Sequence, residues 1–337
     1  MRPPRSRGPT IRDVARRAGV GVATVSRVLN GHSAVSPDAD ARVRRAMGEL
    51  GYRRSEVARS LSVGRAQAVG VVAPFFTTPS VIERLQGVSE RLAELHYNVV
   101  LFSVETPQQR DAVFRDLARH DNVDGLLVIS LPLTDAEVEA VRRHGLPIVL
   151  VDVAHPALAS VTVDDVRGGE LAAEHLLAKG HRRIGFVGDT PENPFGFTSS
   201  ERRLKGLRRA LRAAGAPRLP SLEMRGRYGR EPARALALTL LSRKDPPSAV
   251  FAASDVQALG VLEAAATLGL SVPGDVAVIG FDDIEMAAAV GLTTVRQPLR
   301  QTGARGADLL LQALDGDGAA EPVEELKPLV VIERRTT

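Results

Sequence analysis

The chain has 337 residues, too many for one compact core and enough for two or three domains. With 44% hydrophobic and 25% charged residues it reads as an ordinary globular chain, and no apolar run reaches the roughly 18 to 20 residues of a membrane span. The absence of cysteine excludes disulfides, thiolate metal sites and cysteine nucleophiles.

The basic N-terminus is followed by no apolar signal segment, so the expected location is the cytoplasm. The net charge of +4 conceals an asymmetry. Residues 1–65 hold fourteen arginines, no lysine and five acids, a net of +9, against −5 for the remainder. A basic head on a mildly acidic body is the electrostatic pattern of a nucleic-acid binder.

Residues 1–9, rich in proline and arginine, read as a flexible arm. Thr10 is a good N-cap, and Ile11, Val14, Ala15 and Ala18 repeat at helical spacing before Gly19 stops the helix. Val20 is placed to plug the core between two helices. A second helix is expected from about Val22 to Leu29, with Val25, Val28 and Leu29 inward and Ala23, Ser26 and Arg27 outward; Asn30-Gly31 ends it. Ser36-Pro37 starts a third, with Val43, Ala46, Met47 and Leu50 inward and Gly51 at its end. Two helices about four residues apart, closed by a third, form a helix-turn-helix unit whose second helix enters the major groove.

TIRDVARRAGVGVATVSRVLNG, VSPDADARVRRAMGELGY and ARSL at 58–61 resemble the head of the lactose-repressor (LacI/GalR) family, and the likeness extends over nearly the whole chain. Two departures stand out. Gly21 replaces the usual Ser or Thr, which weakens the second helix's N-cap, and Arg53-Arg54-Ser55 replaces the usual x-Pro-Asn. The expected DNA-binding set is Thr10, Val22, Ala23, Thr24, Ser26, Arg27, Asn30 and His32. Val22 and Ala23 match the pair that varies with operator sequence; they can touch a thymine methyl but form no bidentate hydrogen bond. Arg27 suits guanine or phosphate, and Thr24, Ser26 and Asn30 suit backbone positioning. For residues 55–64 the resemblance implies a hinge helix that forms on operator DNA and pairs with its dimer mate, with Ala58 and Leu61 at the DNA and Leu61 wedged into the minor groove. An ordinary linker is the plain alternative.

From about residue 65, β-rich runs alternate with helical ones. AVGVVA (68–73), NVVLFSV (98–104), DGLLVIS (124–130) and PIVLVDV (147–153) read as buried parallel strands, with helices near 80–95, 107–119 and 134–143. RIGFVG (183–188), SAVFAA (248–252) and DVAVIGF (275–281) follow, with helices near 166–179, 200–214, 231–242 and 255–268; TTVRQ (293–297) and PLVVIE (328–333) close the chain. The expected fold is an all-α helix-turn-helix head plus an α/β body of two doubly wound parallel-sheet lobes of the periplasmic-binding-protein type. The lobes are expected over 65–163 with 292–322, and 164–291 with 323–337.

Nucleotide and catalytic motifs (G-x-G-x-x-G, G-x-x-x-x-G-K-[ST], H-E-x-x-H, G-x-S-x-G) are missing, and the seven histidines lack metal-ligand spacing. Binding rather than catalysis is expected, with no cofactor and no metal. Polar residues at strand carboxyl ends (Asp152, Ser254, Asp255, Asp282) form a hydroxyl-binding set with an arginine at 202 or 203. The resemblance prefers Arg203, and it places Ser80 and Val81 among the ligand-facing residues. Phe76, Phe195 and Phe197 are candidate stacking faces. Each has a plainer reading: Ser254 as a helix N-cap, Asp283 capping the next turn, the phenylalanines as packing. Ser254 stands where the family usually has asparagine. The expectation is a homodimeric regulator of operator DNA, responsive to a small-molecule effector such as a sugar. It acts as a repressor or, alternatively, as an activator or corepressor-dependent regulator. A sugar-binding transport protein is the rival that the basic head disfavours.

Overall fold

A computed structural model describes residues 9–29, 35–52, 66–117, 122–316 and 323–337. It forms two units, Met1–Ala66 and Gln67–Thr337. The expected contacts at Asn30, His32, Ala58 and Leu61, together with the hinge helix, lie outside the described residues.

The head is three helices. In α1 (Ile11–Ala18), Thr10 and Asp13 cap each other reciprocally: the Asp13 carboxylate accepts from the Thr10 N–H at 2.9 Å, and the Asp13 N–H donates to the Thr10 hydroxyl at 3.4 Å. Those two bonds satisfy donors that a helix start leaves unpaired. Gly19, at φ +66°, ends α1 in the left-handed conformation that favours glycine. α2 (Val22–Leu29) starts at Gly21, whose carbonyl accepts from Thr24 and Val25 but which has no side chain to cap the first turn. α3 (Pro37–Leu50) has the Ser36 cap and N1 proline that the sequence suggests. Val14, Val25 and Val43 are fully buried at the centre, with Ala15, Ala18, Val28 and Ala46 around them and Val20 packed alongside.

The body holds two six-stranded sheets. The first runs β11-β5-β4-β3-β1-β2, all parallel: β1 (Ala68–Pro74), β2 (Asn98–Val104), β3 (Gly125–Ile129), β4 (Ile148–Val151), β5 (Ala159–Thr162) and β11 (Glu324–Glu325). The second runs β12-β10-β9-β8-β6-β7: β6 (Ile184–Asp189), β7 (Glu223–Gly226), β8 (Ala249–Ala252), β9 (Ala277–Asp282), β10 (Thr293–Arg296) and an antiparallel β12 (Val330–Ile332). Helices α4 (Pro79–Glu94), α5 (Pro107–Leu117), α6 (Asp135–Arg142) and α12 (Leu299–Asp315) belong to the first lobe; α7 (Asp165–Ala178), α8 (Ser199–Ala213), α9 (Arg230–Leu241), α10 (Asp255–Thr267) and α11 (Glu285–Val290) belong to the second. In each sheet the strand order reverses at the first strand, β1 or β6, and such folds bind ligands beyond the carboxyl ends of strands at that reversal.

Strand pairing moves two of the expected lobe boundaries. β10 continues the second sheet beside β9, Thr293 opposite Ile279, so the chain crosses at Gln297–Pro298 rather than at 292. β11 pairs with β5 in the first sheet, so the last crossing falls between 325 and 330 rather than at 323. Two glycine-mediated helix pairs brace the lobes. A Cβ on Gly303 of α12 would stand 2.0 Å from the Arg84 carbonyl oxygen of α4, and one on Gly169 of α7 would stand 2.0 Å from that of Arg203 of α8. The backbones therefore touch, which fixes the two helices that carry the arginines described next.

Candidate functional site: a helical DNA surface and an interlobe cleft

On α2, Val22 is 44% exposed and Ala23 and Arg27 are exposed, while Thr24 and Ser26 are half-buried. Arg27 forms no ion pair with any other described residue. Thr10 is engaged in its capping box with Asp13.

The body cleft is lined by a continuous polar chain. From the first lobe, Asp152 follows β4 at φ +74° and accepts from the Ser130 hydroxyl at 2.7 Å and from Arg84 Nη2 at 2.5 Å. Arg84 is only 2% exposed; its Nη2 also donates to the Gln297 side-chain oxygen at 3.1 Å. Gln297 in turn donates to Asp282 Oδ1 at 2.6 Å. Asp282 ends β9 at φ +120°, and Arg203 Nη1 lies 3.8 Å from it. Arg203 is buried: Nε donates to Asp165 at 2.9 Å, Nη1 donates to the Ala253 carbonyl at 2.6 Å, and its guanidinium carbon sits 3.7 Å over the Phe281 ring. Ion pairs and hydrogen bonds thus run from one lobe to the other.

A second arm extends from this chain. Ser254 caps α10 by accepting the Gln257 N–H at 3.2 Å, and its hydroxyl donates to the Gln257 side-chain oxygen at 3.1 Å. That orients the Gln257 amide to donate to Asp189, the last residue of β6, at 2.9 Å. Tyr228 is 42% exposed, with Ser254 and Asp282 near enough to act on its hydroxyl.

The electrostatics follow from this crowding. Burial pushes the Asp282 carboxyl up to about 6, against the opposing charges of Arg203 and Arg84 and the Gln297 bond. Burial also pushes Asp189 up to about 6, only partly offset by Arg203 and the Gln257 bond. Asp165 is raised by burial despite its Arg203 partner. For Arg203, burial works in the other direction but is outweighed by Asp165, Asp282 and Asp152, which hold it firmly charged. The Tyr228 hydroxyl is raised by burial and by the Asp282 charge.

Of the residues singled out in the sequence, Asp152, Arg203, Ser254 and Asp282 meet in this network, and Ser80 adjoins it through its carbonyl, which accepts from Arg84 Nη1 at 3.4 Å. Asp255 is sealed behind it: its carboxylate accepts from the Ile284 N–H at 3.0 Å and the Thr294 hydroxyl at 2.6 Å, tying α10 to β10, and it is fully buried. Val81 packs in the first-lobe core. Phe76 lines an apolar hollow with Thr77, Ile82, Leu85, Gln86 and Ser89. Phe195 is buried, edge-on to Phe75 at 5.4 Å and stacked on Phe197 at 5.4 Å, while Arg110 Nη1 donates to its carbonyl at 3.4 Å. Since Phe75 and Arg110 belong to the first lobe, these contacts join the lobes. Asp283 does not cap α11; it accepts from Arg296 and Arg334, each at 2.6 Å. Sequence reasoning missed Arg84, Ser130, Asp165, Asp189, Tyr228, Gln257 and Gln297. Asp189 ends β6, and Ser130 and Gln297 directly follow β3 and β10, a signal that was available; Arg84 lies inside a helix and carries none.

A description of bacterial regulatory proteins of the lacI family matches residues 10–55, and one of a periplasmic binding protein-like domain matches residues 173–337. Catabolite control protein A of Priestia megaterium is 31% identical, over 97% of this chain and 99% of its own length. The chain belongs to the LacI family of bacterial regulatory proteins. As a LacI-family member it is a DNA-binding transcriptional regulator. Among solved structures, the lac repressor dimer bound to operator and an anti-inducer superposes with a TM-score of 0.87 at 29% identity, covering 98% of this chain and 99% of that one. The transcriptional regulator CelR in complex with cellobiose gives 0.72 at 31%, covering 98% and 100%. Among the described residues no helix is long and apolar enough to cross a membrane.

Proposed function

We propose that this LacI-family regulator is a homodimeric repressor that binds a pseudo-palindromic operator through α2 and releases it when a sugar binds between the body lobes. The supporting observation is the cleft network, in which Asp152, Asp189 and Asp282 at the ends of β4, β6 and β9 sit among Arg84, Arg203 and the exposed Tyr228 ring. Carboxylates and guanidinium groups in fixed directions accept from and donate to hydroxyls, and an aromatic face suits the apolar side of a sugar ring. The cellobiose carried by the CelR complex is in keeping with that chemistry. The cleft is read as a binding rather than a catalytic site, in keeping with relatives that are transcriptional regulators.

The test selects an operator from random duplexes in vitro, then screens neutral mono- and disaccharides by thermal shift and by fluorescence anisotropy of the labelled operator. A ligand at about 100 times its Kd stabilises by about 2.7 kcal/mol. A sugar that raises the melting temperature and releases the duplex supports the reading. A sugar that tightens operator binding points to the corepressor-dependent alternative, and no response to any sugar overturns the assignment.

A further inference from the structure

The charges of the cleft do not balance, and the imbalance has a location. Asp152 pairs with Arg84 and Asp165 with Arg203, which leaves Asp189 and Asp282 as surplus carboxylates. Both guanidinium groups are committed: Arg84 to Asp152, Gln297 and the Ser80 carbonyl, Arg203 to Asp165, the Ala253 carbonyl and the Phe281 face. Arg202 is exposed and comes only within 4.0 Å of Asp165. Arg203 is the cation that offsets part of the burial at Asp189.

Asp189 is held firmly. It is the last residue of β6, opposite Gly226 of β7, and its N–H donates to the Ser200 hydroxyl at 2.9 Å. Its Oδ1 takes the Gln257 amide at 2.9 Å, and Oδ2 has no protein partner among the described residues. β6 is the strand at which the second sheet reverses its order, so the free oxygen lies where such folds place their ligands. Asp282, by contrast, is spent on Gln297 and lies beside Arg203.

Resting on the reading that this cleft holds the effector, we propose that Asp189 is a specificity-determining residue. Its free carboxylate oxygen accepts a ligand hydroxyl and excludes effectors bearing a phosphate or carboxylate. A phosphorylated sugar or uronic acid brings negative charge beside two surplus carboxylates, in a network whose two buried guanidinium groups are already committed. Like charges brought together out of bulk water are a discriminating device, because they act against the wrong ligand without any contact to the right one. A hydroxyl donor, or an ammonium group in the same position, meets the opposite situation. Gln257 and Ser254 set the direction of the carboxylate, which a solvated surface acid lacks.

The experiment is calorimetric titration of the full chain with neutral hexoses, pentoses and disaccharides, with the corresponding phosphates and uronic acids, and with glucosamine. Asp189→Asn is carried alongside; it keeps the shape and can still accept from Gln257, and its melting temperature reports folding. The parent protein is expected to bind an anionic derivative at least thirtyfold more weakly than its neutral counterpart and glucosamine no more weakly than glucose. Asp189→Asn is expected to narrow the neutral-to-anionic ratio about tenfold or more, since a hydrogen bond to a charged group contributes about 1.5 to 3 kcal/mol. A purely structural residue would lower all affinities together and leave that ratio unchanged. An anionic ligand bound as tightly as the neutral one, or an unchanged ratio in Asp189→Asn, overturns the proposal while leaving the effector cleft standing. If no sugar of either class binds, the sugar reading of the cleft falls and this inference falls with it.

Discussion

Gln297 donates to the Asp282 carboxylate at 2.6 Å while its own amide oxygen accepts from Arg84 at 3.1 Å, so one side chain at a lobe crossing joins an acid of the second lobe to a cation of the first. Both partners are buried, and Arg84 already has an unsatisfied Nε. Replacing Gln297 by leucine removes a donor from one charged group and an acceptor from the other at the same moment. Leaving buried polar groups without partners costs about 1 to 3 kcal/mol. Gln297→Leu is therefore expected to lower the unfolding free energy of the body by about that amount, read as a lower urea midpoint with an unchanged slope of the transition. An unaltered midpoint would mean that water replaces the amide at no cost and that the bridge is incidental.

Asp189 and Asp282, each pushed up to about 6 by burial, give the cleft a pH dependence of definite sign. A carboxyl whose native value lies above its unfolded value of about 4 binds protons more tightly when folded. The stability it contributes is full below about pH 4 and is lost as pH rises through about 6. A sugar donating hydroxyls to the ionised carboxylates lowers their pKa, so binding releases protons near pH 6 and affinity rises between about pH 5 and 7. Titrations at pH 6 in two buffers of different ionisation enthalpy measure the release directly, and it is expected to vanish at pH 8. Proton uptake at pH 6 would contradict the direction of hydrogen bonding assigned to the cleft.

The lobes also meet at Phe75 and Phe195, edge-on at 5.4 Å, with Phe197 stacked behind. Phe75 adopts φ +44°, a costly conformation for a non-glycine residue, which persists only where surrounding contacts hold it. An aromatic pair contributes about 0.5 to 1.5 kcal/mol beyond its buried area. Phe195→Leu keeps an apolar side chain and removes both ring contacts, so this contact between the lobes is expected to loosen. Stopped-flow measurements should then show effector association and dissociation both faster, by several-fold. Rates equal to the parent's would assign the aromatic cluster to packing alone.

The periodic parts of this fold were legible in the sequence because period and caps coincide. All three head helices, with Thr10, Gly19, Ser36 and Gly51 at their ends, follow from short-range rules. The long apolar runs likewise gave the central strands of both sheets. What escaped was set by tertiary contact. α12 carries Gly303 and Gly306 in its interior, which weaken a helical reading, yet those glycines admit the Arg84 backbone and Val151 at close range. β7 is an edge strand of sequence EMRG, with no apolar run to announce it. In the cleft, Asp152 and Asp282 were found because each acid stands at the end of a long apolar run. Asp189, which follows the run RIGFVG just as Asp282 follows DVAVIGF, was passed over despite that signal, and Arg84 was missed because nothing local marks a buried arginine within an amphipathic helix.

On the DNA side, Arg27 carries the sharpest expectation. It is exposed on α2 and unpaired with any described residue, while Val22 and Ala23, on the helix's first turn, offer only apolar contact. Of the exposed side chains on this helix it alone can make a bidentate contact, the form that reads guanine at its O6 and N7. Arg27→Ala is therefore expected to cost about 1 to 3 kcal/mol on the preferred operator and to relax the preference at one position of each half-site. The logarithmic salt slope, near −5 if about six phosphates are neutralised per dimer, should stay almost unchanged, because it counts phosphate contacts rather than base contacts. Anisotropy titrations of the selected operator and of single-position variants, from about 50 to 200 mM salt, separate the two effects. Uniform weakening across all variants, with the slope reduced by about one for each half-site, would show Arg27 to be a phosphate contact and would leave Val22 and Ala23 as the helix's only readers of sequence.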